Sequence, residues 1–240
     1  FYHDSTDIDN AEHRKITAHR LIAKTPTLAA MSYKHALGQP FIYPRNDLGY
    51  AENFLHMMFA TPCEDYVVSP TISKAMDRLF LLHADHEQNC STTAVRVVGS
   101  AHADPYSAIA AGSAALSGPR HGGANEAVMH MMNTIKKPES ALKWSNNALD
   151  KKEVVMGFGH RVYKNGDSRV PTMEKYFQKV SKINNDKKFM KIYETVKNVM
   201  IDRKDIHPNV DFPTGPTYHL MGFNTDFITP IFVISRITGW

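Results

Sequence analysis

The chain has 240 residues, of which 42% are hydrophobic and 22% charged. That is enough for one large core or two smaller ones, and it excludes a disordered chain. The net charge of +4 is spread among both signs, and no apolar run approaches the ~18 residues of a membrane span, so neither a basic nucleic-acid tract nor a membrane segment is expected.

In chain order, residues 17–37, rich in Ala and Leu, predict a helix with Pro26 as a kink or boundary. Asn46 and Asp47 can cap a helix with the apolar face Leu48, Phe54, Leu55, Met58 and Phe59. Ser69 and Pro70 open another, in which Ile72, Ala75, Met76, Leu79, Phe80 and His83 follow helical spacing. Pro105 suits the first turn of a small-residue helix over 106–117. Gly-rich breaks follow at 118–123 and 157–159, the first leading into an apolar helix with Val128, Met131, Met132 and Ile135. Phe189, Ile192, Tyr193, Val196, Val199 and Met200 recur at three and four residues and predict an amphipathic helix. The best strand candidate is Val154 to Met156. The fold class is therefore all-α, with functional segments at the Gly- and Pro-marked breaks. The chain starts at Phe1, stops at Trp240 inside an apolar stretch and shows no targeting segment, so it reads as an internal piece of a longer protein. Cys63 and Cys90 supply neither a metal-ligand spacing nor a disulfide framework and fit a reducing compartment.

Histidine, at 13 copies, is the unusual residue, and several copies lie in polar or Gly-rich segments. In His83-Ala-Asp-His86-Glu-Gln-Asn89, helical spacing would put His83, His86 and Asn89 on one face. A metal pair, a core or capping histidine, and a polar binding role are all open, although the spacing is not that of zinc hydrolases. In Gly118-Pro-Arg-His121-Gly-Gly-Ala-Asn125, a helix N-terminus beside His121 would favour the neutral imidazole, a donor suited to a developing enolate oxygen. An ordinary glycine loop is the plain alternative. Gly157-Phe158-Gly159-His160-Arg161-Val-Tyr163-Lys164, followed by Asp167-Ser-Arg169, combines a donor and cations that suit a small polycarboxylate. In Pro208-Asn209-Val210-Asp211-Phe212, the acid between apolar neighbours is either a general base or a helix cap. Arg236, in the apolar run 227–240, needs a partner, either an acid of the chain or a ligand carboxylate.

One acid, two Gly-embedded histidines and at least two arginines, without a Ser or Cys nucleophile motif, suggest enolisation and carbon–carbon bond formation on an anionic substrate. The order of the motifs, from Pro44-Arg-Asn-Asp47 to the Arg236 helix, resembles the citrate synthase family across essentially the whole chain, and the bacterial-type enzymes most closely. The resemblance implies an acyltransferase that condenses acetyl-CoA with oxaloacetate and water to give citrate and CoA. It implies an all-α protein with a large domain (1–120, resumed at 220–240) and a small one (121–219). By the same resemblance, His121 stabilises the enol(ate), Asp211 removes the methyl proton and His160 polarises the oxaloacetate ketone. His86, Asn89, Arg169 and Arg236 hold oxaloacetate, and Gly157, Phe158, Gly159 and Asn209 lie on the CoA side. No metal and no cofactor is implied. The partners are the two substrates and a second copy in a homodimer or larger homo-oligomer, with no nucleic acid and no membrane. A bacterial-type cytoplasmic location is expected, and an organelle remains open.

Three departures from the common family pattern stand out. Family members carry a further substrate arginine later in the chain, and this sequence ends before that position. Gly166 and Ser168 stand where Tyr and Pro are common, and with Phe212-Pro-Thr-Gly-Pro216 they look similar to members that also accept propionyl-CoA and make 2-methylcitrate. Arg120 precedes His121 where a small or apolar residue is usual. The alternatives are therefore a 2-methylcitrate or dual-specificity enzyme and, more remotely, a metal-dependent hydrolase built on His83, Asp85 and His86.

Overall fold

The computed structural model describes residues 7–160 and 162–240. Arg161, one of the cations noted beside His160, lies outside the described residues. Among those described, eleven α-helices and one 3₁₀ turn account for the regular structure, and pairing of the β type is confined to two isolated bridges, Thr61 with Glu64 and Phe158 with Pro208. Val154 and Val155 of the strand expectation lie in a loop and Met156 in a turn, so that expectation fails. The chain divides into two compact units, residues 1–122 with 229–240, and residues 123–228.

The first unit holds α1 (Ala11–Ala36), α2 (Tyr50–Phe59), α3 (Pro70–His83), α4 (Cys90–Gly99) and α5 (Pro105–Leu116), and nearly all of α11 (Ile228–Arg236). Helix α1 begins earlier than expected, because the Asn10 side chain accepts the Glu12 and His13 N–H groups. It also runs through Pro26 rather than ending there. A proline leaves the carbonyl four residues back without its helical donor. That carbonyl is Ile22 O, and the Tyr50 hydroxyl donates to it at 2.9 Å. The cap expected at Asn46 and Asp47 is replaced by one at Gly49, whose N–H donates to Glu52, while Asp47 is held by Arg45. Phe54, Leu55 and Met58 of α2 and Ala75, Met76 and Leu79 of α3 are fully enclosed and form the core between these helices. Helices α4 and α5 pack against each other.

The second unit holds α6 (Ala124–Ile135), α7 (Pro138–Asp150), α8 (Val170–Ile183), α9 (Lys188–Lys204) and α10 (Asp211–Leu220). The expected face of α9 is the buried one: Phe189, Ile192, Tyr193, Val196, Val199 and Met200. Helix α10 packs on α6 and α8 and is buried at every residue from Phe212 to Tyr218. Its sequence, Asp-Phe-Pro-Thr-Gly-Pro-Thr, carries a proline and glycine content that argues against a helix. Burial on all sides overrides that local preference, and Thr214 and Thr217 donate their hydroxyls to the carbonyls of Val210 and Pro213 at 2.7 Å.

Candidate active site

The sequence-predicted residues fall into two groups, one in each unit. His86, Asn89, His121 and Arg236 belong to the first, and Gly157, Phe158, Gly159, His160, Arg169, Asn209 and Asp211 to the second.

In the first unit, His83, His86 and Asn89 do not share a helix face. Helix α3 stops at His83, Glu87 has φ of 50°, and Asn89 starts α4 as its N-cap. His83 is a core residue. It is completely enclosed, its Nδ1–H donates to Leu79 O at 2.9 Å, and its ring meets Phe232 edge-on at 4.9 Å. Among the described residues no group of three His, Cys, Asp or Glu side chains is arranged to hold a metal. The Oδ1 atom of Asn89 accepts the Thr92 N–H at 3.1 Å. Arg236, 1% exposed, donates from Nε to His83 O at 2.8 Å, and its guanidinium lies 4.9 Å from the Phe232 ring centroid. The partner it shows is thus a main-chain carbonyl and an aromatic face.

His121 sits in the turn that follows α5, with its N–H donated to Gly118 O. The helix N-terminus that meets its imidazole is that of α4, thirty residues back in the chain, and not that of the helix that follows it in sequence. The Ser91 N–H donates to His121 Nε2 at 3.3 Å, and Ser91 Oγ lies 2.8 Å from the same atom. An amide N–H can only donate, so Nε2 carries the lone pair and the proton resides on Nδ1. Burial, and after it the Arg236 charge and His86, push the imidazole down to about 4. His121 is therefore neutral at pH 7, with Nδ1–H as its donor. Ser91, which meets the imidazole with both its N–H and its hydroxyl, is not marked by any local pattern that ties it to His121.

In the second unit, His160 is fixed by its own loop. The N–H groups of Val162 and Tyr163 donate to its Nδ1 at 3.0 and 3.2 Å, which leaves the proton on Nε2. The Tyr163 ring stacks on it at 4.6 Å. Burial and then Arg169 push its pKa down, with Asp167 opposing. Arg169 is held in a two-pronged pair by Asp167, Nε to Oδ1 at 2.9 Å and Nη2 to Oδ2 at 2.7 Å. The same carboxylate accepts the Val210 N–H at 3.0 Å. Burial alone would raise the Asp167 carboxyl, but the Arg169 bonds and charge outweigh it and hold the group below its ordinary range. Asp167 thus links the arginine to the residue that precedes Asp211, a role its sequence setting did not reveal.

Asp211 is the first residue of α10, where free N–H groups favour a negative side chain. Asn209 staples this helix start to the glycine loop. Its Nδ2 donates to Gly159 O, its N–H donates to Gly157 O, and its Oδ1 accepts the Asp211 N–H, all within 2.9–3.0 Å. Gly157 has φ of +84°, and a Cβ there would lie 2.7 Å from Phe212 Cβ, so only glycine lets the loop lie this close to α10. The Phe158 ring packs 4.4 Å from that of Phe212.

The sequence model described as the citrate synthase C-terminal domain matches residues 1–240. The structure superposes on a citrate synthase from Pyrobaculum aerophilum with a TM-score of 0.88 at 36% identity, covering 96% of this chain and 58% of that one. For citrate synthase from Thermotoga maritima MSB8 the values are 0.84 and 32%, covering 95% and 62%. For citrate synthase from Thermoplasma acidophilum, solved as a ternary complex with carboxymethyl coenzyme A and oxaloacetate, they are 0.87 and 33%, covering 96% and 61%. The chain thus spans about three fifths of the length of these relatives. With the whole chain matched by one domain and a helical fold shared at this identity, the protein belongs to the citrate synthase family.

Proposed function

We propose that the full-length protein containing this chain condenses acetyl-CoA with oxaloacetate and water to give citrate and CoA. The observation that carries this reading is the matched state of two histidines. His121 and His160 each accept main-chain N–H at one ring nitrogen and so keep a neutral N–H donor at the other. Enolisation at neutral pH calls for this pair: one donor for the thioester oxygen of the nucleophile, one for the ketone of the electrophile. The ternary complex of the Thermoplasma enzyme supports the choice of ligands.

In this mechanism Asp211 takes a proton from the acetyl methyl group while His121 Nδ1–H donates to the thioester oxygen. The enol(ate) carbon attacks the oxaloacetate ketone, whose oxygen receives a hydrogen bond from His160 Nε2–H. Water then cleaves the thioester of citryl-CoA, releasing citrate and the thiol of CoA. Arg169 and Arg236, with His86, hold the oxaloacetate carboxylates. Asn89 supports the site as the cap of α4, and Gly157 to Gly159 with Asn209 form the CoA side. Residues 123–228 correspond to the smaller domain, and the working form is a homodimer or larger homo-oligomer. The histidines and arginines supply the electrophilic assistance, and none of these steps calls for a cofactor.

The test follows thiol release by the full-length protein from acetyl-CoA and from propionyl-CoA, each with and without oxaloacetate. Oxaloacetate-dependent release favouring acetyl-CoA is expected. One methylene changes discrimination by only ~1–3 kcal/mol, so the propionyl arm is a real alternative. Equal or faster release from propionyl-CoA would move the protein to a 2-methylcitrate or dual-specificity enzyme. Absence of oxaloacetate-dependent release from both would overturn the reading.

A further inference from the structure

The segment after α11 folds back onto the turn that joins α3 to α4. The Thr238 hydroxyl lies 3.4 Å from Ala84 O, and a Cβ on Gly239 would stand 2.4 Å from the same oxygen, so glycine alone lets the chain run against this turn. That path delivers the Trp240 indole to Ser91, with Nε1–H donating to Ser91 Oγ at 3.0 Å. The ring is seated on α5 at Gly112, where a Cβ would lie 2.5 Å from Val95 Cγ2 and 3.2 Å from the indole. The hydrogen bond to Ser91 and the close packing on Gly112 together fix the position of the indole.

The consequence follows from counting protons. Ser91 Oγ has one hydrogen and three polar neighbours: Trp240 Nε1, His121 Nε2 at 2.8 Å and Asn89 Oδ1 at 2.8 Å. The indole can only donate, so the hydroxyl cannot point its hydrogen that way. Its proton is confined to the His121 and Asn89 side. We infer that Trp240 is a positioning residue for His121, acting through the Ser91 hydroxyl to hold the imidazole in its Nδ1–H form. This rests on the reading of His121 as the group that stabilises the enol(ate).

The test is Trp240→Phe in the full-length protein, which keeps a ring in the Gly112 socket and removes only the donor. Loss of one hydrogen bond of this kind should lower kcat by about 2- to 10-fold, with KM for oxaloacetate unchanged. The freed Oγ lone pair becomes available to a protonated Nε2, so the acid limb of kcat should move to higher pH. Arg236 and His86, the other groups that bear on the His121 charge, are untouched. In a Ser91→Ala background the same change should cost nothing further. Unchanged kcat and acid limb, a lower melting temperature alone, or an equal loss without the Ser91 hydroxyl would each overturn the inference. If the wild-type protein shows no oxaloacetate-dependent release, the catalytic reading falls separately. The inference then stands or falls on the imidazole 15N shifts of His121, which should change in Trp240→Phe.

Discussion

The two units solve the same chemical problem by different routes. Each presents a neutral imidazole by aiming main-chain N–H groups at one ring nitrogen. In residues 123–228 the donors are two and three positions downstream of His160, and the loop is self-sufficient. In the unit formed by 1–122 and 229–240, the donor to His121 is thirty residues away, at the start of α4. A local device depends on backbone conformation. A distant one depends on tertiary packing of α4 and the neighbouring turn. The first should survive changes elsewhere, whereas the second should be sensitive to every residue that positions Ser91.

The largest effect is expected at Asp211, the proposed base. Asp211→Asn should lower turnover by ~10²–10⁴-fold, the range of a lost general base. Oxaloacetate should still bind, as measured by calorimetry on the full-length variant. Asparagine keeps the shape of the first turn of α10, so a large loss of melting temperature would show instead that Asp211 is chiefly structural. Retained turnover would remove it as the base.

The next effect isolates the second unit. Asp167→Asn leaves Arg169 without its two-pronged acceptor inside a buried corner, and the cost should be about 2–3 kcal/mol of stability. The carboxyl is held below its ordinary value of 3.8, so its contribution is full above that value and is lost as pH falls through the folded value. The gap between the melting curves of variant and wild type should therefore begin to shrink as pH falls below about 3.8 and close as pH drops through the lower folded value. A gap that stays constant down to pH 2 would mean that packing, and not the ion pair, explains the loss.

These contrasts also explain what the sequence could reveal. The helices with clean periodicity, α3 and α9, were legible because burial falls on one face. Gly157, His160 and Asn209 stood out in the sequence as one glycine-marked loop and one neighbouring motif, and their contacts lie within those two segments. Helix α10 was hidden, since Pro213, Gly215 and Pro216 argue against it locally and only complete burial makes it a helix. The continuity of α1 through Pro26 was hidden too, because the donor that makes up for the proline is Tyr50, from another helix. Ser91 was unreadable for the same reason: nothing in Cys-Ser-Thr-Thr points to a histidine thirty residues on. Local chemistry can be read along the chain, whereas chemistry assembled by packing cannot.

A smaller effect probes the loop route directly. Gly157→Ala places a methyl 2.7 Å from Phe212 Cβ at a left-handed φ. Both penalties act together, and about 2 kcal/mol of destabilisation is expected. The damage should be confined to the surroundings of His160. The 15N shifts of the His160 ring should change while those of His121 stay put. Equal changes at both would end the claim that the two routes are independent.

The smallest effect concerns His121 alone and comes from its charge. An unfolded histidine titrates near 6.5, whereas His121 in the folded chain is pushed down to about 4. Between these values the unfolded chain binds the proton and the folded one does not, so His121 costs stability progressively as pH falls from 6.5 to 4. Below that range the cost stops growing. The imidazole is not fully enclosed, so solvent screening reduces the effect to about 1 kcal/mol. His121→Gln retains an acceptor for the Ser91 N–H and removes the titration. The variant should lose turnover, yet its melting temperature should fall less steeply than that of wild type between pH 6.5 and pH 4. His160, whose pKa is lowered by the same kind of burial, should give a second and separate contribution in this range. Parallel slopes for wild type and His121→Gln would mean that the folded chain protonates His121 readily, and that the N-terminus of α4 does not hold it neutral.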